Sequence, residues 1–167
     1  MKFCRNLLGY LLGFTIFVLL LPALMWWLAG CPLPGQLPVW RLIVLAVFAV
    51  TGLGFSVYTI VYMQRVGRGN PFDFYNHEIA PRTQKLMTDG PYRASRNPMM
   101  LGVLIYYLGL VLCLLAWQPL LVVLIFLLAM TRQIRAEEKR LVADFGAEYI
   151  AYQQSTSRFF SLRRKHR

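Results

Sequence analysis

Two stretches of the chain, residues 7–29 and 42–63, contain no Asp, Glu, Lys, Arg or His. A run of about 20 apolar residues is what an α-helix needs to cross the hydrocarbon core of a bilayer. In that medium a helix satisfies every backbone N–H and C=O from within. The composition agrees: of 167 residues, 57% are hydrophobic and 15% charged, too little polar surface to cover a water-soluble domain of this size. The expected fold class is an all-α membrane protein with about four transmembrane helices, the third and fourth forming a helical hairpin, and a cytoplasmic C-terminal helical extension. Large extramembrane domains and solenoids are excluded by length.

Residues 1–167 read as one integral-membrane domain. Span 1 covers 7–29. Leu28-Ala29-Gly30-Cys31 resembles a bacterial lipoprotein cleavage site, but the apolar stretch exceeds the about 7–15 residues of a signal peptide, so it reads as a retained span. Pro32, Pro34, Gly35 and Pro38 mark a short loop before span 2, 42–63. Residues 64–98 are polar and form the main loop. Span 3 covers 99–117, and Gln118-Pro119 leads into span 4 at 119–131, which continues as a cytoplasmic helix to about 152. Gly146 is either tolerated within that helix or marks its bend. Residues 153–167 form a basic tail.

The balance of 18 Lys and Arg against 7 Asp and Glu could indicate a nucleic-acid binder, but such proteins carry few long apolar runs. Orientation follows from where the basic residues fall. One side receives Lys2, Arg5, Arg65, Arg68, Arg82, Lys85, Arg93, Arg96 and every basic residue from Arg132 onward, and the other receives Arg41. Both termini and the polar loop therefore face the cytoplasm, and the compact length fits a bacterial inner membrane. Cys4, Cys31 and Cys113 show no metal-ligand spacing and read as packing thiols without a disulfide. The tail, with Arg158, Arg163, Arg164, Lys165, His166 and Arg167, suits anionic lipid headgroups. His77 reads as a loop hydrogen-bonder, and no metal site is expected.

The helix after residue 131 is more informative. At 100° per residue, Ile134, Leu141, Phe145, Tyr149 and Tyr152 share one stripe, and Glu138 falls within it. Burying an unpaired carboxylate is costly, so Glu138 needs a partner. That partner is either an arginine, such as Arg135, Arg93 or Arg96, or the polar groups of a ligand lodged between helix and loop. On the loop side, Arg96, Asn97 and Pro98 lead into span 3, where Gly102 allows another backbone or a ligand to come close.

Gly90-Pro91-Tyr92-Arg93, then Ser95-Arg96-Asn97-Pro98-Met99-Met100-x-Gly102, a membrane hairpin, and Arg132 followed by Glu137-Glu138, Leu141, Phe145-Gly146, Tyr149 and Tyr152 resemble the integral-membrane methyltransferases related to isoprenylcysteine carboxyl methyltransferase and phospholipid N-methyltransferases. The resemblance covers residues 86–159. It implies S-adenosylmethionine as methyl donor, held by Arg96, Asn97, Pro98 and Gly102 in one segment and by Glu137 and Glu138 in another. It associates Arg132 with substrate and catalysis; for an amine acceptor, which must lose a proton, Glu137 or Glu138 could act as base, with Glu137 the catalytic candidate. The isoprenylcysteine enzymes carry Arg-His-Pro-x-Tyr where this chain has Asn97 and Met100, which separates it from their substrate more than from their cofactor. The acceptor is expected to be lipid-like or a hydrophobic small molecule, either a phospholipid amine or a prenylated thiol carboxylate among the narrower choices. A reading from another class is a noncatalytic membrane scaffold or lipid-binding protein.

Overall fold

The computed structural model describes residue 9, residues 11–67 and residues 85–160. Lys2, Cys4 and Arg5, the loop residues 68–84 with His77, and residues 161–167 of the basic tail lie outside the described residues. Among those described, every regular element is helical. The protein is an all-α membrane protein: three of its helices are long and apolar enough to cross a bilayer, and a shorter apolar helix accompanies them.

Helix α1 spans Leu11–Leu28 and includes a π-helical stretch, Thr15–Leu20. Helix α2 runs Val39–Gly67, with Pro38 at its N-cap and its last turn, Met63–Gly67, wound as a π-helix. It thus starts before the apolar run at Leu42, because Pro38 already fixes the chain at the helix start and Arg41 is tolerated in the first turn. Helix α3 is Pro98–Leu114, 17 residues, or about 25 Å at the α-helical rise, the short end of what crosses a bilayer. It stops before Trp117 because Leu115 turns left-handed, with φ of 47°.

Helix α4, Gln118–Phe145, is a single helix of 28 residues. The apolar run and its amphipathic extension are therefore one rod, which carries Glu138 out from the apolar region on a rigid support. Gly146 ends it at φ 54° and ψ −128°, a conformation suited to glycine, and the short helix α5, Ala147–Ser155, follows. Of the two readings of Gly146, the bend is the one found.

The α2–α3 seam is made by missing side chains. A Cβ on Gly102 would lie 2.5 Å from the Gly52 carbonyl oxygen and 2.9 Å from the Ser56 nitrogen, and one on Gly52 would lie 2.7 Å from the Tyr106 nitrogen. Small residues at such a crossing let two helix backbones touch, the route to packing where lipid removes the hydrophobic incentive. Ser56 Oγ donates to the Met99 carbonyl at 2.9 Å and locks the register. Tyr107, fully buried, ties α3 to α1 by donating to the Phe17 carbonyl at 2.9 Å. That acceptor lies in the π-helical stretch, where the wide turn loosens the helix's own ladder. Phe126 of α4 completes the cluster with its ring 5.2 Å from Tyr107 and 5.7 Å from Phe17. Cys113 is buried in α3, while Cys31 is exposed and does not pack as expected.

Candidate functional site

Where α4 leaves the apolar bundle, four segments converge: the end of α2, the turn before α3, the polar half of α4, and α5. The turn is built on Gly90–Arg93, a 3-10 helix. Gly90 adopts φ of 58° and lies so close to the Tyr62 ring that a Cβ would fall 2.6 Å from it. The turn therefore presses against α2, with the Tyr92 ring 6.3 Å from that of Tyr62. Tyr152 of α5 donates to the Tyr92 carbonyl at 2.7 Å, so α5 is latched to the turn from the other side.

Between these walls lies a cavity of about 170 Å³. Its apolar lining includes Met63, Met87, Met100, Ile134, Leu141 and Phe145, and its polar lining includes Arg96, Asn97, Glu137, Glu138 and Tyr149. Glu138 is 7% exposed. Its Oε1 forms an ion pair with Arg96 Nη1 at 3.2 Å and accepts Arg158 Nε at 3.2 Å, and its Oε2 accepts Arg158 Nη2 at 2.6 Å. Two guanidinium groups thus compensate the charge that burial would otherwise penalise. Arg96 keeps one buried atom, Nε, without a hydrogen-bond partner.

The segment after α5 closes the arrangement. Arg96 N–H donates to the Ser157 carbonyl at 3.1 Å. Ser95 Oγ and Asn97 Nδ2 donate to the Arg158 carbonyl at 3.0 and 3.2 Å, and Ser95 Oγ accepts the Asn97 N–H at 2.9 Å. Burial, then Glu137, raises the Tyr92 pKa above the ordinary phenol value. Tyr149 is pushed up to about 12, first by burial and then by Glu138. Tyr152 is raised by burial, then by Tyr149. All three phenols stay neutral near pH 7, and that of Tyr152 donates to the Tyr92 carbonyl. The hydrogen bond to Glu138 raises Arg158 further.

Of the residues singled out from sequence, Arg96, Asn97, Pro98, Glu137 and Glu138 line this one cavity. Two others, Gly102 and Arg132, are not on its wall. Gly102 is buried against Ser56 and Gly52, so its missing side chain admits α2 rather than a ligand. Arg132 is exposed and lies outside the cavity wall, because six residues before Glu138 on a helix is a direction some 120° away. Arg93 and Arg135, both considered as partners of Glu138, are exposed, and Arg96 takes that place together with Arg158. Arg158 was grouped with the basic tail. Helical periodicity could not find it, since it follows the end of α5, and only a buried carboxylate in need of a second cation hinted at it.

A helical membrane protein with a paired carboxylate in a cavity at the end of its apolar bundle defines a class in which polar chemistry is done beside lipid. Within that class, the chain belongs to the phospholipid methyltransferase family, whose model matches residues 40–148, and is a membrane methyltransferase by that membership. The match takes in α2, α3, α4 and both cavity-forming segments. No curated protein and no solved structure matches the chain.

Proposed function

We propose that the protein is an S-adenosylmethionine-dependent methyltransferase that modifies a lipid-like or otherwise hydrophobic small acceptor. The observation that carries this reading is the meeting of the Arg96-Asn97-Pro98 segment and the Glu137-Glu138 pair in one cavity. The donor set fits such a cofactor. The unpartnered buried Nε of Arg96 is a donor suited to an amino-acid carboxylate. Glu137 offers acceptor oxygens on the cavity wall, and the methionine-rich lining accepts apolar surface. Arg96, Asn97, Pro98, Glu137 and Glu138 would hold the group.

Bound there, S-adenosylmethionine supplies a methyl group activated by its positively charged sulfur. The chain's own task is to align the acceptor and keep water away. The rigid α4 rod and the latched turn serve alignment, and the apolar wall excludes water. Glu138 accepts two N–H bonds from Arg158 and pairs with Arg96. Glu137 or Glu138, both on the cavity wall, would take the proton of an amine acceptor, and a carboxylate acceptor needs no base. Arg132 has no part in this reading because its side chain lies off the cavity.

In this reading the acceptor enters from the bilayer and the cofactor from the aqueous side; the basic excess at this end of the molecule supports a cytoplasmic face, in keeping with a bacterial inner membrane. The test is calorimetric titration of S-adenosylhomocysteine into detergent-solubilised protein. Binding is expected, weakened by Glu138→Gln and by Asn97→Ala. Absence of binding to monodisperse protein would leave a noncatalytic scaffold or lipid-binding protein. Incubating membranes with radiolabelled methyl donor then identifies the acceptor: base-labile label marks an ester, and base-stable label in phospholipid marks N-methylation.

A further inference from the structure

Residues 156–160, which follow α5, run between the two segments that meet at the cavity. This strap is anchored: Thr156 is 4% exposed and the Ser95 beneath it fully buried. Within it a single residue reaches both segments. The carbonyl of Arg158 accepts Ser95 Oγ and Asn97 Nδ2, while its guanidinium donates to both oxygens of Glu138. Asn97 precedes α3 as its N-cap and Glu138 stands on α4, and Arg158 bridges them. Arg158 does not itself line the cavity and lies beyond the residues 40–148 of the family match.

Both bridged side chains have torsional freedom that the cavity wall alone does not remove. Without the Arg158 side chain, the Glu138 carboxylate would keep Arg96 beside one oxygen and could swing about its side-chain torsions, and the main-chain carbonyl that accepts Asn97 Nδ2 would lose the side-chain anchor that ties its segment to α4. The fork matters as much as the charge. A guanidinium holds a carboxylate plane with two parallel N–H bonds, whereas an ammonium is a point donor that fixes distance and not orientation.

We propose that Arg158 is a positioning residue for the cofactor: by bridging Asn97 and Glu138 it sets both in the geometry that receives the ligand, without touching the ligand. The inference rests on the S-adenosylmethionine reading above.

The experiment is titration of S-adenosylhomocysteine into the full chain in detergent, for the parent, Arg158→Ala, Arg158→Lys, Glu138→Gln and the Glu138→Gln/Arg158→Ala double variant. Arg158→Ala should weaken binding about 10- to 100-fold, the loss that a small misplacement of site groups produces. Arg158→Lys should recover only part of it. The double variant should lose less than the product of the two single losses, because both act through one bridge. A purely structural role would lower the melting temperature of the ligand-free protein but leave the two losses multiplicative.

Parent-like or tighter binding by Arg158→Ala overturns the proposal, tighter binding marking the strap as a plug instead. Multiplicative losses overturn it too. Should Arg158→Ala fail to give monodisperse protein, Ser95→Ala carries the test, since it removes the donor to the Arg158 carbonyl and the acceptor of the Asn97 N–H. It should weaken binding several-fold, and parent affinity would again overturn the bridge. If the parent itself binds no S-adenosylhomocysteine, the cofactor reading has failed first, which the parent titration reveals before any variant is compared.

Discussion

Between Gly52 and Gly102 two helices meet through bare backbone, whereas around Glu138 the α4 rod, the turn before α3 and the segment after α5 are joined by guanidinium, hydroxyl and amide groups that reach carboxylate or carbonyl oxygen. The first region lies in the apolar bundle and the second where the bundle ends. In lipid there is no water to expel, so affinity between helices comes from contact area and close fit. At the boundary water competes for every polar group, and a lone exposed ion pair contributes little. Several directional bonds sharing buried atoms are what hold an arrangement there. The seam sets where α3 stands, and the polar cluster sets how the cavity is shaped once it stands there.

The seam should break first. Gly102→Val puts a branched side chain against the backbone of Gly52 and Ser56, where no rotamer relieves the clash, and should cost about 3 kcal/mol. Its expected signature is loss of the monodisperse peak in size-exclusion chromatography or a large fall in melting temperature. Gly54 is the control, since a Cβ there meets nothing within 4 Å. Gly54→Ala should be neutral or stabilise slightly through helix propensity. Equal behaviour of the two variants would mean that the close approach of α2 and α3 is not what holds the bundle.

Next in size is the bend between α4 and α5. At Gly146 a Cβ also meets nothing within 4 Å, but φ is +54°, so Gly146→Ala isolates backbone strain from crowding. A loss of about 1–2 kcal/mol is expected, read by thermal unfolding. The variant also turns Tyr149 and Tyr152 relative to the cavity, so S-adenosylhomocysteine binding should weaken with stability. Unchanged stability would show that α5 docks through its side chains regardless of the bend.

These two regions were not equally legible in the sequence. Charge-free runs announce helices because the bilayer punishes any interruption, and the stripe of Ile134, Leu141, Phe145 and Glu138 announced a buried carboxylate because helical geometry is regular. Gly102 announced a close approach, by a backbone or a ligand, without saying which: its neighbour, Ser56 of α2, is a tertiary fact with no local trace. Arg158 was hidden for a different reason. It sits in irregular chain among other basic residues, and neither periodicity nor composition separates an arginine that pairs from one that is solvated. Arg132 was placed by its position in a motif, and motif spacing does not tell which side of the helix a residue occupies, although the 3.6-residue repeat does.

Within the polar cluster, the latch between α5 and the turn is a smaller target. Tyr152→Phe removes the donor that lies 2.7 Å from the Tyr92 carbonyl and leaves that buried acceptor unpaired. A cost of about 1 kcal/mol is expected in chemical or thermal unfolding, with the bundle intact. A loss as large as that of Gly102→Val would place the latch on a par with the helix seam and erase the contrast between the regions.

The smallest effect at neutral pH separates the regions by titration. Burial, reinforced by Glu138, pushes Tyr149 up to about 12 from an ordinary value near 10. The folded protein therefore keeps a proton that the unfolded chain gives up first. The stabilisation from this group is fully present below pH 10 and is lost as pH rises from about 10 to about 12. Stability in detergent should accordingly be insensitive to this group through neutral pH and decline across that window, and Tyr149→Phe should make the decline shallower while leaving the neutral-pH value within about 1 kcal/mol of the parent. Loss of S-adenosylhomocysteine binding should accompany the decline, since the titrating group belongs to the cavity wall. Should the variant decline as steeply as the parent, the alkaline transition belongs to other groups, and the phenol beside Glu138 is not what couples the cavity to pH.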